Sequence, residues 1–136
     1  MGRKIILHYR VDKNREEVFE FLTNVQKFVS VHPLIHRMDP TGGDRYLVFE
    51  KLDLGLFSLS FRYPVKIEKN EPAHTITFRS RLMKFVAIDM IFSLSSDQKG
   101  TLVEEMVSTN LPLPLHFIFH RVVRKQHGIL FQNMSR

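Results

Sequence analysis

The chain has 136 residues, 43% hydrophobic and 25% charged, with a net charge of +6 and no cysteine. That length suits one domain, residues 1–136, able to bury roughly two thirds of its unfolded surface. The composition excludes extended disorder, and the absence of cysteine excludes disulfides, thiolate metal sites and a thiol nucleophile.

The N-terminal segment MGRKIILHYRVDKNR has an apolar run of three residues, too short for a signal-peptide core, so a cytoplasmic location is expected. Met1-Gly2 begins like a myristoylation site, but Ile6 stands where Ser or Thr is required. Residues 3–11 alternate, with Ile5, Leu7, Tyr9 and Val11 on one side, and predict a first strand. Asn14 is placed to cap a helix, with Glu17 at the reciprocal capping-box position and Val18, Phe19, Phe21, Leu22 and Val25 at helical spacing. The stretch QKFVSVHP predicts a second short helix or turn, closed at His32-Pro33 because proline disfavours a helical residue before it.

From Leu34 to Pro112 the period becomes two, broken by turn chemistry at Thr41-Gly42-Gly43-Asp44, Leu54-Gly55, Asn70-Glu71-Pro72 and Asp97-Gln98-Lys99-Gly100. Six strands follow, at 34–40, 45–53, 57–68, 73–82, 84–95 and 101–110. In FSLSFRY, Phe57, Leu59, Phe61 and Tyr63 share a face expected to be buried, and Ser58, Ser60 and Arg62 the wet one. VAIDMIFSL is apolar on nearly both faces and is expected centrally in the sheet.

Pro112 and Pro114 then open a long helix from about 114 to 133. Its His and basic residues interrupt it before the roughly 20 apolar residues a membrane crossing needs. At about 100° per residue, Leu115, Ile118, Phe119, Val122, Val123, Ile129 and Leu130 form an apolar arc opposite Arg121, Arg124, Lys125 and Gln132. Gln126 and Asn133 fall inside that arc, where a polar side chain needs a partner. His116, His120 and His127 form a stripe at its edge and are expected to bury a ring edge while keeping one nitrogen wet. His116 and His120 have the spacing of two zinc ligands. However, no Glu occupies the HExxH position, and His127 lies about 10 Å further along the axis, so no metal is expected.

The predicted class is therefore α+β: a seven-stranded curved antiparallel sheet gripping a long C-terminal helix, with two short helices after the first strand. VDKNREEVFEFLTNVQKFVSVHP and HFIFHRVVRKQHGILFQNM resemble the opening strand, helix and aromatic turn, and the closing helix, of the START-like, Bet v 1-like superfamily, also called SRPBCC or helix-grip. The tryptophan usual in that turn is absent, and Phe28 and Val31 are the nearest apolar residues. The resemblance spans essentially the whole chain by element order. It implies binding or transfer of lipids, sterols, polyketides or other apolar molecules in a cavity between sheet and closing helix, and the superfamily includes aromatases and cyclases.

The expected partner is thus an apolar small molecule or lipid, with no cofactor. Phe57, Leu59, Phe61, Ile76, Phe78, Ile88, Met90 and Phe92 are expected to line the sheet side and Phe119, Val122, Val123 and Gln126 the helix side. A one-residue error in strand phase would exchange lining for surface. An enzyme of the cyclase, aromatase or hydratase kind, working without metal, would draw its acid or base from Asp89, His32 or Tyr63, with Glu104 and Glu105 further candidates. Asp89 is rather expected to pair with Arg79 or Arg81 across the sheet. A third alternative is a cavity-less module acting through its basic face.

That basic charge is scattered, densest at Arg121, Arg124 and Lys125, with neither zinc-finger spacing nor an RNP-type motif. A solvated face is expected, and nucleic acid is not the expected partner. Contact with a membrane surface stays open, and the oligomeric state is not legible in the sequence.

Overall fold

A computed structural model of the chain describes residues 2–53, 55–82 and 85–136. The elements run β1 (Arg3–Val11), α1 (Arg15–Thr23), α2 (Val25–Val31), β2 (Ile35–Gly42), β3 (Arg45–Asp53), β4 (Ser58–Asn70), β5 (Thr75–Leu82), β6 (Val86–Ser96), β7 (Thr101–Thr109) and α3 (Leu113–Met134). The seven strands form one antiparallel sheet in the order β1-β7-β6-β5-β4-β3-β2. This is the α+β arrangement expected, with strand ends shifted by a residue or two. The expected strand start at 84 and the expected turn residue Leu54 lie outside the described residues.

Local chemistry sets the boundaries. The Asn14 side chain accepts a bond from the backbone N–H of Glu17 at 2.9 Å and starts α1; Asn24 accepts from Lys27 at 3.1 Å and starts α2, splitting the helical segment in two. His32 ends α2, and its Nδ1 accepts the backbone N–H groups of Leu34 and Ile35, each at 3.0 Å. The β2–β3 turn needs positive φ at Gly42 and Gly43 (134° and 57°), which glycine adopts without steric penalty. No helix among the described residues is long and apolar enough to cross a membrane.

Side chains on alternate positions of every strand share one concave face, and the helices pack there: α1 on β5 and β6, α2 on β2, and α3 on β1. The core built on that face has two parts. The larger joins Val18, Leu22 and Phe28 to Val65, Ile67, Ile76, Phe78, Phe92, Leu94, Leu130, Phe131 and Met134; the smaller joins Ile5, Leu7, Ile88, Val107 and Val123. Tyr9 and Met90 touch both.

Candidate functional site

The concave face of β4 changes character along its length. Ile67 and Val65 are buried, Tyr63 and Phe61 half-buried, and Leu59 and Phe57 stand 49% and 62% exposed. Paired strands follow the same gradient: on β3, Val48 is buried whereas Glu50 and Leu52 are half-buried, and on β5 Phe78 is buried whereas Ser80 and Leu82 are half-buried. Asn110, just before α3, bonds the backbone of Phe85 and Ala87 at this end. The first turns of α3 lie there too, with Leu115, Phe117 and Ile118 exposed. One end of the trough between sheet and helix is thus filled, and the other is an apolar surface that no element among the described residues covers.

Polar side chains from five elements meet where the two halves join. Glu105 of β7 has no exposed side-chain surface, and both its oxygens lie 2.8 Å from Nδ1 of His127 on α3, which keeps 8% of its side chain exposed. The His32 ring, at the end of α2, meets the His127 ring edge-on at 6.0 Å. The Tyr63 hydroxyl of β4 donates to Glu50 Oε1 of β3 at 2.7 Å. Phe92 packs at 6.2 Å from the His127 ring and continues the contact into the filled half through Phe131.

Burial and charge fix the protonation of this cluster. Burial disfavours the His127 imidazolium, yet the Glu105 carboxylate, through charge and hydrogen bond, and Glu50 beyond it hold its pKa above the ordinary histidine value. Burial, then the His127 charge, brings His32 down to about 3, so it is neutral near pH 7. Burial raises Glu50 against the opposing pull of Tyr63 and His127, and burial with the Glu50 charge raises Tyr63 well above the usual phenol range. The result is one imidazolium held by a buried carboxylate, beside a second carboxyl and two neutral hydrogen-bonding rings. Among the described residues, no group of three or more His, Asp or Glu is arranged to hold a metal ion.

Seven of the eight expected sheet-side residues lie on the concave face, as strand alternation and the pairings Ile67↔Phe78, Phe78↔Met90, Ile76↔Phe92 and Ser80↔Ile88 require, and Phe57 just precedes β4. They do not share one environment: Ile76, Phe78, Ile88 and Phe92 are buried, Phe61 and Met90 half-buried, and Phe57 and Leu59 exposed. The expected burial of Phe57 and Leu59 is corrected because their hairpin extends past the part of the sheet that the core covers. On α3, Val123 is buried and Phe119, Val122 and Gln126 are half-buried.

The helix faces the sheet through His116, Val123, His127, Leu130, Phe131 and Met134, whereas Leu115 and Ile118 are exposed. His116 and His127 therefore belong to the buried stripe, not to its wet edge. His116 Nδ1 is buried without a hydrogen-bond partner among the described residues. The displacement has a physical cause: Glu105 is a buried carboxylate that needs a cation, and docking His127 onto it rotates the helix toward the histidines. Asn133, expected in the apolar arc, donates to the Val31 carbonyl at 2.8 Å.

Of the acid–base candidates, His32, Tyr63 and Glu105 lie in the boundary cluster. Asp89 does not: it faces the other side of the sheet, 2.8 Å from Arg81 and 3.5 Å from Arg79. Glu104 lies 3.5 Å from His8 at the surface. Glu50 and the Glu105–His127 pairing were missed. Glu105, one of the sequence candidates, sits at an inward position of the alternating strand TLVEEMVST, but its pairing with His127, 22 residues away, leaves no local signal. Two surface hollows lie elsewhere, one of about 390 Å³ beside Asp12, Asn14 and Asp97, the other of about 540 Å³ beside Thr23, Tyr46 and Lys69; neither contains an expected lining residue.

A family model for CoxG, described as a subunit of carbon monoxide dehydrogenase, matches residues 8–127. The chain belongs to the CoxG family. No curated protein matches this CoxG family member. Among solved structures it is similar to Ara h 8.0201 (13% identity, TM-score 0.77, 99% of this chain and 96% of that one) and to TTHA0849 from Thermus thermophilus (12%, 0.76, 98% and 94%). It is also similar to the Zhui aromatase/cyclase from Streptomyces sp. R1128 (12%, 0.68, 98% and 94%). Likeness at such low identity shows the fold alone, a fold this CoxG family chain shares with all three.

Proposed function

We propose that the protein binds a hydrophobic small molecule or lipid in the uncovered half of its trough, against β4, β5 and β6 and beneath the first half of α3. The observation that carries this is the gradient along β4. One continuous apolar face, buried at Val65 and Ile67, runs on to Phe61, Leu59 and Phe57 without a covering element among the described residues. Apolar surface left open costs about 25 cal/mol per Å², so a sheet face of this kind is stabilised by whatever covers it. The resemblance to the Bet v 1-like superfamily supports the same role.

Titration of a 12-(1-pyrenyl)dodecanol probe tests it, read by pyrene fluorescence with wild type and with Phe61→Glu. Saturable binding by wild type, weakened at least tenfold in a Phe61→Glu protein that still unfolds cooperatively, is expected. No saturable binding, or equal affinity in the two proteins, contradicts it.

One observation favours a second, enzymatic role in the same trough. Glu105 holds His127 by Nδ1, which leaves Nε2 as the nitrogen able to exchange a proton with a bound molecule, an arrangement suited to general acid–base catalysis. The likeness in fold to an aromatase/cyclase is consistent with it. Mass spectrometry of a polyketone analogue recovered after incubation separates the roles. Conversion that is lost in His127→Gln while binding persists favours catalysis, and unchanged analogue favours binding alone.

A further inference from the structure

The inner end of the uncovered trough is a floor of polar groups with a defined charge balance. Glu50 and Glu105 supply two carboxyls against the single imidazolium of His127, and His32 is a neutral ring. Glu50 has Tyr63 as its hydrogen-bond partner and feels the His127 charge. An anion arriving there therefore meets two carboxyl groups as well as the imidazolium.

The hydrogen-bonding pattern is just as specific. Glu50 takes the Tyr63 hydroxyl on Oε1, and its second oxygen has no bond among the described residues. Because His32 Nδ1 accepts two backbone N–H groups, its proton sits on Nε2 as a donor. His127, bonded to Glu105 through Nδ1, presents Nε2–H as a second donor. An incoming group thus meets one free carboxyl oxygen and two ring N–H donors.

A hydroxyl has one donor and two acceptor sites and can satisfy both kinds of group. A carboxylate can only accept and adds a negative charge beside Glu50. An ammonium can only donate and leaves the ring N–H groups without an acceptor. We infer that the ligand is an apolar molecule with a neutral hydroxyl end, bound with that hydroxyl at the Glu50, His32 and His127 floor, and that long-chain alcohols are selected over fatty acids. This rests on the binding role proposed above.

The test uses three probes on one pyrenyl-dodecyl chain, ending in a hydroxyl, an ammonium and a carboxylate, titrated at pH 7.5 into wild type and Glu50→Gln. Both ionic ends bear the general cost of burying a charge, so their order relative to each other reads the charge of the floor. The expected order is hydroxyl, ammonium, carboxylate, with the carboxylate at least tenfold weaker than the hydroxyl. In Glu50→Gln the amide oxygen still accepts from Tyr63 but the free oxygen becomes an N–H donor, so the ammonium and carboxylate affinities converge and hydroxyl binding weakens severalfold because its proton loses its acceptor.

A carboxylate that binds as tightly as the hydroxyl or the ammonium overturns the inference while leaving the binding role intact, and so does an order unchanged by Glu50→Gln. Failure of all three probes to bind overturns the binding role itself and the inference with it.

Discussion

The two halves of the concave face differ in what completes them. In the filled half, α1, α2 and the C-terminal part of α3 bring Leu22, Phe28, Leu130, Phe131 and Met134 onto Val65, Phe78 and Phe92, and the protein itself supplies every contact. In the other half the same strands carry Phe57, Leu59 and Phe61, while the facing turns of α3 expose Leu115 and Ile118. The comparison teaches that apolar residues on one face of one sheet can serve stability at one end and recognition at the other, with the polar cluster marking the change.

Truncation breaks or sharpens that contrast most strongly. Phe131→Ala, at a fully buried ring, is expected to lose about 3–5 kcal/mol of unfolding free energy in urea titrations, whereas Phe57→Ala is expected to change it by less than about 0.5 kcal/mol. Similar losses from both would erase the distinction. At the boundary, Glu105→Leu leaves His127 buried without its partner and is expected to cost about 3–5 kcal/mol, much of it recovered when His127→Leu is added. Additive losses in that double-mutant cycle would mean that the two residues do not act as a pair.

The pH dependence is of intermediate size. His32 is depressed in the folded state, so its contribution is whole above the ordinary histidine value near 6.5 and is lost as pH falls toward about 3. The slope is up to about 1.4 kcal/mol per pH unit across that window, and His32→Asn should flatten it. His127 has the opposite sign: its folded pKa is raised, so its contribution is whole below about 6.5 and fades as pH rises through the folded value. The stability gap between wild type and Glu105→Gln should therefore narrow from pH 6 to pH 9, and a constant gap would remove the charge pairing. A smaller loss is expected at Asn133, whose bond to the Val31 carbonyl is worth about 1 kcal/mol; equal unfolding of Asn133→Ala and wild type would show that water replaces it.

The fold was legible because its signals are local and periodic. The alternation of Phe57 to Tyr63, the cap at Asn14 and the prolines before α3 each act within a few residues, and the order of elements then leaves few topologies. The concave face could be read for the same reason, since period two assigns Phe78 and Met90 to one side regardless of what covers them. The covering could not be read. Phe57 and Phe78 carry identical side chains, and the place where the helices lie separates an exposed ring from a buried one.

The rotation of α3 was hidden for a related reason. Counting apolar residues centres the helix near Gln126, but the sheet side holds a carboxylate, Glu105, that draws His127 inward. Such a pair spans 22 residues and appears in neither element's own pattern.

The central claim, that the uncovered half receives an apolar ligand, is tested most directly by chemical-shift mapping of isotope-labelled protein titrated with a long-chain alcohol. Saturable shifts are predicted at Leu59, Phe61, Leu115, Ile118 and Phe119 and at the boundary residues Glu50 and His127, with Leu94, Val103 and Met134 in the filled half unmoved. The absence of saturable shifts, or shifts centred on the filled half, would contradict it.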